Sequence, residues 1–103
     1  MNWFGIFIVI NIYAARPASA AAATASAQQK AETCTACHGS LGISANGLWP
    51  NLASQKSAYL VKQLKAFREG TRSDPLMTPV SRMLSEEDLQ ELAIYFSRLK
   101  GAP

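Results

Sequence analysis

The most constraining feature of this 103-residue chain is the run Cys34-Thr35-Ala36-Cys37-His38, which contains its only two cysteines and its only histidine. Two thiols three residues apart on a turn of helix can form thioethers with both vinyl groups of a haem, and the next residue can direct an imidazole at the iron. A thioredoxin-like site would need a preceding strand, which is not predicted, and a zinc site would need a fourth Cys or His ligand. The run therefore predicts covalent haem attachment through Cys34 and Cys37 with His38 as an iron ligand; a redox or structural disulfide is the alternative.

The front of the chain has the composition of a targeting segment. Residues 1 to 29 carry one charged side chain, Arg16, and the stretch from Trp3 to Tyr13 is almost entirely apolar. That stretch is too short to cross a hydrocarbon core, which needs about 20 residues. Two small-residue triplets that suit a signal peptidase follow it, Ala18-Ser19-Ala20 and Ala25-Ser26-Ala27. We predict a signal peptide and export to the periplasm; an uncleaved membrane anchor is the alternative, because no Lys or Arg precedes the apolar stretch.

The sequence divides into a signal peptide over residues 1 to 20, with cleavage as late as residue 27, a linker over 21 to 29 and one domain over 30 to 103. A side-chain core is marginal in so small a domain, and an attached cofactor would enlarge it. From residue 21 onward nine basic and seven acidic side chains leave a net charge of +2. This small charge, with no aromatic residues interleaved among the basic ones, gives no support to nucleic-acid binding.

The domain shows helical patterns and long loops but no convincing strand, so we predict an all-α fold of three to four helices packed around one haem. A first helix is expected over Gln28 to Ala36, and a second from near Ser54 to Glu69, with Gly70 as its stop. A capping box at Ser85 and Asp88 marks the start of the last helix. The inward-facing positions of the second and last helices are Leu60, Leu64 and Phe67, and Leu89, Leu92, Ala93, Phe96 and Leu99.

The stretch from Gly39 to Leu52 is expected to form a loop. Gly47, Pro50 and Asn51 favour turns. Trp49 lies among them and would cover one edge of a haem; ordinary core packing is the alternative role for this side chain.

The sixth position of the iron decides between an electron carrier and a catalyst or sensor. Without a second histidine, and outside the signal peptide, the thioether candidates are Met77 and Met83. Met77 lies in Asp74-Pro75-Leu76-Met77-Thr78-Pro79, where two prolines are expected to stiffen an extended loop that presents the sulfur. Met83 is explained as easily by gap filling in the core. Met77 is the favoured ligand, and Met83 or an open site the alternatives.

An ordered set of matches covers residues 30 to 100. They are Cys34 to Gly39, Trp49-Pro50-Asn51-Leu52-Ala53, Gln55, Tyr59-Leu60, Gln63-Leu64, Phe67-Arg68, Gly70, Arg72, Met77 seven residues before Leu84-Ser85, Leu92-Ala93 and Tyr95-Phe96. In these the chain resembles the class I c-type cytochromes, in particular the small bacterial one-haem proteins and the repeat unit of their two-haem relatives. The resemblance implies His38 as proximal and Met77 as distal ligand, with the Pro50 carbonyl accepting a hydrogen bond from the His38 ring. Ser54 departs from the glycine usual at its place.

With both axial positions filled, no coordination site is open to a substrate. We therefore expect a soluble monomeric carrier of single electrons rather than an enzyme, with a membrane complex, a periplasmic dehydrogenase, an oxidase or a reductase as redox partner. The alternatives are the haem subunit of a larger periplasmic oxidoreductase and, if the sixth position is open, a gas sensor or small peroxidase. Contact with a membrane is expected only if the leader is uncleaved.

The charged residues fall into a basic cluster around the second helix and an acidic cluster at the start of the last one. These are Lys56, Lys62, Lys65, Arg68 and Arg72, and Glu86, Glu87, Asp88 and Glu91. A dipolar surface of this kind could steer a docking partner. Two solvated helix faces are the interpretation we favour.

Overall fold

A computed structural model describes Ile10 and residues 19 to 103. Four helices form this part of the chain: α1 Ser19–His38, α2 Ser57–Glu69, α3 Met77–Arg82 and α4 Glu86–Ser97. The part described contains no strand, in agreement with the predicted all-α fold. Apart from Ile10 and its last two residues, the predicted signal peptide lies outside the described residues and stays a prediction.

Helix α1 starts earlier than the sequence pattern suggested. It begins at Ser19 rather than near Gln28, so the residues predicted to form a linker are helical. The physical reason is composition, since this segment is rich in alanine, the strongest helix former. The helix ends at His38, and Gly39 follows with a φ of 92°, where an added Cβ would overlap the Ile43 carbonyl oxygen. No helix within residues 19 to 103 is long and apolar enough to cross a membrane.

Helix α2 begins two residues later than predicted. Ser54, the expected cap, has a left-handed φ of 63°, whereas a capping residue needs extended backbone. Lys56 occupies the capping position instead and makes no side-chain capping bond. The predicted end is confirmed, because Gly70 has a φ of 84° and its N–H donates to the Ala66 carbonyl.

Helix α3 replaces the extended loop that was expected around Met77. The prediction of an extended backbone was wrong, because Met77 is the first residue of a six-residue helix. Pro79 is its third residue, within the first turn, where the backbone N–H groups have no partner inside the helix. The proline that was expected to stiffen a loop is therefore accommodated by a helix.

Helix α4 begins and packs as predicted. Ser85 and Asp88 form a reciprocal capping box. The small side chains of Ala93 on α4 and Ala31 on α1 are both 1% exposed, and they let the two helices approach closely. The other members of the buried cluster are Leu60, Leu92 and Phe96. The core thus lies where α1, α2 and α4 meet, directly beside the end of α1.

Candidate functional site

The end of α1 presents the two thiols predicted to attach a haem. Cys34 and Cys37 lie one turn apart, and both are free cysteines. Cys34 is part-buried against the core cluster, whereas Cys37 is exposed. Burial first, and then the neighbouring Cys37 thiol, raise the pKa of the Cys34 thiol. Both sulfurs are therefore available at one end of one helix.

The His38 imidazole is buried and held in one orientation. The side chain is 7% exposed, and its Nδ1 lies 2.7 Å from the Pro50 carbonyl oxygen. Because a carbonyl oxygen only accepts, Nδ1 is the donor in this bond. With the proton on Nδ1, the imidazole has its lone pair on Nε2, which is the form that a metal ligand requires. The hydrogen bond implied by the family resemblance is present in the structure.

The loop after α1 brings Pro50 back over the histidine. The Gly42 carbonyl accepts from the N–H groups of Leu52 and Ala53, at 2.8 and 3.0 Å, and closes the loop at its base. Within it the Ser44 N–H donates to Asn51 Oδ1 at 2.7 Å. Trp49 precedes Pro50 and is half-buried. The structure thus places Trp49 beside the His38 partner, and its role at a haem edge stays a prediction.

An apolar pocket opens between the end of α1 and the core. Its lining is formed by Cys34, Leu52, Leu60, Leu64, Leu92, Ala93 and Phe96. Sequence periodicity had assigned Leu60, Leu64, Leu92 and Phe96 to the core, whereas Leu52 lay at the end of the predicted loop. Their position next to a motif cysteine emerges only from the packing of α1 and α2 against α4. Free thiols, an oriented imidazole and an apolar lining together fit the chemistry of a covalently attached haem.

Met77 lies on a different element from the motif, at the start of α3, and is half-buried. Asp74 fixes its backbone, since Oδ1 of Asp74 accepts from the N–H groups of Met77 and Leu76, both at 2.8 Å. These bonds, led by the one from Met77, lower the pKa of the Asp74 carboxyl. Sequence reasoning missed this role of Asp74. Ligation by Met77 stays a prediction.

The alternative ligand Met83 lies at the other end of α3. It follows the last helical residue, Arg82, and its side chain is 73% exposed. An exposed side chain does not fill a gap in the core, so the structural role suggested for Met83 is not observed.

Three of the four acidic residues form ion pairs with basic side chains of α1 or α2, whereas only Lys65 and Arg68 of the basic cluster do so. Glu86 contacts Lys65 and Arg68 at 2.8 Å each. Lys30 on α1 contacts Asp88 at 2.8 Å and Glu91 at 2.7 Å. The packing of α1 and α2 against α4 brings these opposite charges together. The paired residues therefore link helices, which weakens the hypothesis of a dipolar docking surface on the acidic side.

Comparison with known proteins agrees with this arrangement. The family model described as cytochrome c matches residues 22 to 100. Cytochrome c-554(548) of Halomonas halodenitrificans is 41% identical over 76 residues, which cover 71% of this chain and 92% of that protein. Cytochrome c4 of Pseudomonas aeruginosa is 36% identical over 100 residues, which cover 97% of this chain and 50% of that protein.

A structure of thiosulfate dehydrogenase from Marichromatium purpuratum superposes with a TM-score of 0.71 at 29% identity, covering 77% of this chain and 19% of that one. This chain therefore spans most of the first relative, half of the second and a fifth of the third.

Proposed function

Because the chain belongs to the cytochrome c family, we propose that it is a periplasmic carrier of single electrons with one covalently bound haem c. When bound, the haem iron supplies the one-electron chemistry by changing between its ferric and ferrous states. The observation that carries the proposal is the buried His38 ring, whose Nδ1 is bonded to the Pro50 carbonyl so that Nε2 stays available. His38 directly follows Cys37, the second of the two free cysteines. The predicted signal peptide supports the periplasmic location.

The chain's own residues would bind, orient and enclose the haem. Cys34 and Cys37 would form the two thioethers, and His38 would supply the proximal nitrogen. Met77 would supply the distal sulfur, and its thioether, together with the apolar pocket, would favour ferrous iron and raise the reduction potential. If His38 and Met77 both bound the iron, no position on it would be left for a substrate, which supports a role as a carrier rather than an enzyme.

Redox proteins are the partners that fit this role. A membrane complex or a periplasmic dehydrogenase would donate electrons, and an oxidase or a reductase would accept them. A second function is favoured by one observation, the similarity to a segment of a thiosulfate dehydrogenase. In that case the chain would be the haem subunit of a larger oxidoreductase.

The test begins with expression of the chain in cells that attach haem c. Mass spectrometry should show one covalent haem, and the spectrum of the ferrous protein should not change when carbon monoxide is added. Met77→Ala should make the same spectrum shift promptly, because the sixth position is then open. Met83→Ala is the matched control and should behave as the unmodified protein does. A prompt shift in the unmodified protein would instead support a sensor or peroxidase, and absence of covalent haem would overturn the proposal.

A redox titration gives an independent test of the distal ligand. Met77→His should lower the reduction potential, because an imidazole stabilises ferric iron better than a thioether does. An unchanged potential in this variant would show that Met77 is not a ligand.

Purification from the native cell separates a free carrier from a subunit. A free carrier should elute at the size of one chain, and a dehydrogenase or oxidase fraction should reduce or oxidise it reversibly. Elution with a catalytic polypeptide at constant stoichiometry would favour the subunit hypothesis.

A further inference from the structure

A buried hydroxyl on the same helix as the predicted ligand Met77 has no partner among the described residues. Ser81, on α3, is 0% exposed, and its Oγ makes no hydrogen bond to any of the described residues. Buried polar atoms in folded proteins almost always have a partner, so such a hydroxyl indicates a group that should lie next to it. The function proposed above assigns Ser81 no role.

The position of Ser81 on its helix indicates which group that is. Ser81 follows Met77 by four residues, so the two side chains share one face of α3. Helical side chains lean toward the N-terminus of their helix, and the Ser81 hydroxyl therefore lies over the turn that begins with Met77. Asp74 holds the backbone N–H of Met77 at the start of that turn. A methionine sulfur is a weak acceptor, and the serine O–H is a donor that can rotate to meet it.

We propose that Ser81 is a positioning residue for the distal ligand, its hydroxyl donating a hydrogen bond to the Met77 sulfur when that sulfur binds iron. The proposal rests on the proposed function, in which Met77 is the ligand. The bond withdraws electron density from the sulfur, which makes it a poorer donor to ferric iron. It also restricts the rotamers of Met77. Ser81 should therefore raise the reduction potential and slow the exchange of Met77 for another ligand.

The experiment compares Ser81→Ala with the unmodified haem-loaded protein. The variant should have a lower reduction potential and an altered charge-transfer band between sulfur and ferric iron. Imidazole should displace Met77 at a several-fold lower concentration. Val80→Ala is the first control, because it loosens the same helix without removing a hydroxyl. Ser97→Ala is the second, because that hydroxyl bonds to the Ile94 carbonyl of its own helix at 2.7 Å. Both controls should keep the potential and the imidazole response of the unmodified protein.

Unchanged properties of Ser81→Ala would contradict the proposal. If Ser81→Ala leaves the potential, the band and the imidazole response unchanged and raises the melting temperature, the hydroxyl is unpartnered in the loaded protein too, and the proposal is wrong. Ser81→Cys, which keeps a weaker donor, should give a smaller change in the same direction as Ser81→Ala. If the unmodified protein itself binds carbon monoxide promptly, Met77 is not a stable iron ligand, and both the proposed function and the Ser81 proposal are wrong. If the unmodified protein resists carbon monoxide and Ser81→Ala has an unchanged potential, band and imidazole response, only the Ser81 proposal is overturned.

Discussion

Ser54 is the one non-glycine residue with a positive φ among the residues described, and it occupies a place where related sequences were expected to have glycine. Its N–H donates to the Phe96 carbonyl at 3.0 Å, which ties the loop before α2 to α4. A left-handed backbone costs an L-residue about 1–2 kcal/mol, whereas glycine adopts it freely but loses more entropy on folding. Ser54→Gly should therefore raise the free energy of unfolding by about 0.5–1 kcal/mol, measured by urea denaturation.

Ser73→Gly is the matched control for this substitution. Ser73 is also an exposed loop serine, but its φ is not positive. A glycine there relieves no strain, so stability should stay the same or fall. Equal stabilisation by both substitutions would show that the strain assigned to Ser54 is absent.

At the scale of elements, the capping box of α4 is the clearest case in which a local sequence signal decides a boundary. The Ser85 hydroxyl accepts from the Asp88 N–H at 3.1 Å, and Asp88 accepts from the Ser85 N–H at 3.0 Å. Ser85→Ala leaves the first of these N–H groups without its partner. We expect the free energy of unfolding to fall by about 1 kcal/mol, measured by thermal or urea denaturation.

Ser85→Asp provides the comparison, because a carboxylate also caps a helix and suits its positive end. This variant should retain most of the stability that Ser85→Ala loses. If Ser85→Ala proved as stable as the unmodified protein, the start of α4 would depend on its packing rather than on its cap.

For the whole molecule, the ion pairs between helices predict how stability depends on pH. Lys65, followed by Arg68, lowers the pKa of Glu86 from 4.5 to about 2, and Lys30 lowers that of Asp88 from 3.8 to about 2. Because the unfolded chain binds protons more readily over this range, the contribution of these two carboxylates to stability is present above about pH 4.5 and is lost as the pH falls toward about 2. Melting temperatures recorded from pH 6 down to about 2 should therefore decline most steeply in this window.

Two variants identify the groups responsible for that decline. Glu86→Gln removes the carboxylate that Lys65 and Arg68 share and should flatten the decline. Glu87→Gln removes the neighbouring carboxylate, which lies outside these ion pairs, and should leave the slope unchanged. If the melting temperature of both variants declined with falling pH as steeply as that of the unmodified protein, Glu86 would be excluded as a cause of the acid sensitivity.

The features that the sequence alone determined are local ones. The spacing of Cys34, Cys37 and His38 predicted their chemistry, because three residues make about one turn of helix. The capping box at Ser85 and the stop at Gly70 depend on atoms within a few residues of one another. The apolar positions of α2 and α4 followed from helical periodicity. For these reasons the helical fold, the membership of the family and the core were all predictable.

The tertiary structure decided the contacts between residues far apart in the chain. The Pro50 carbonyl reaches His38 across 12 positions, and Lys30 meets Glu91 across 61. Propensity favoured a loop around Met77, whereas a helix begins there, with the Met77 N–H bonded to the Asp74 carboxylate and Pro79 accommodated in the first turn. Nothing in the sequence indicated that Ser81 would be buried, because its burial results from the packing of the helices around it. Such features depend on which surfaces meet, and that is determined by the packing of the whole chain around its core rather than by any short segment.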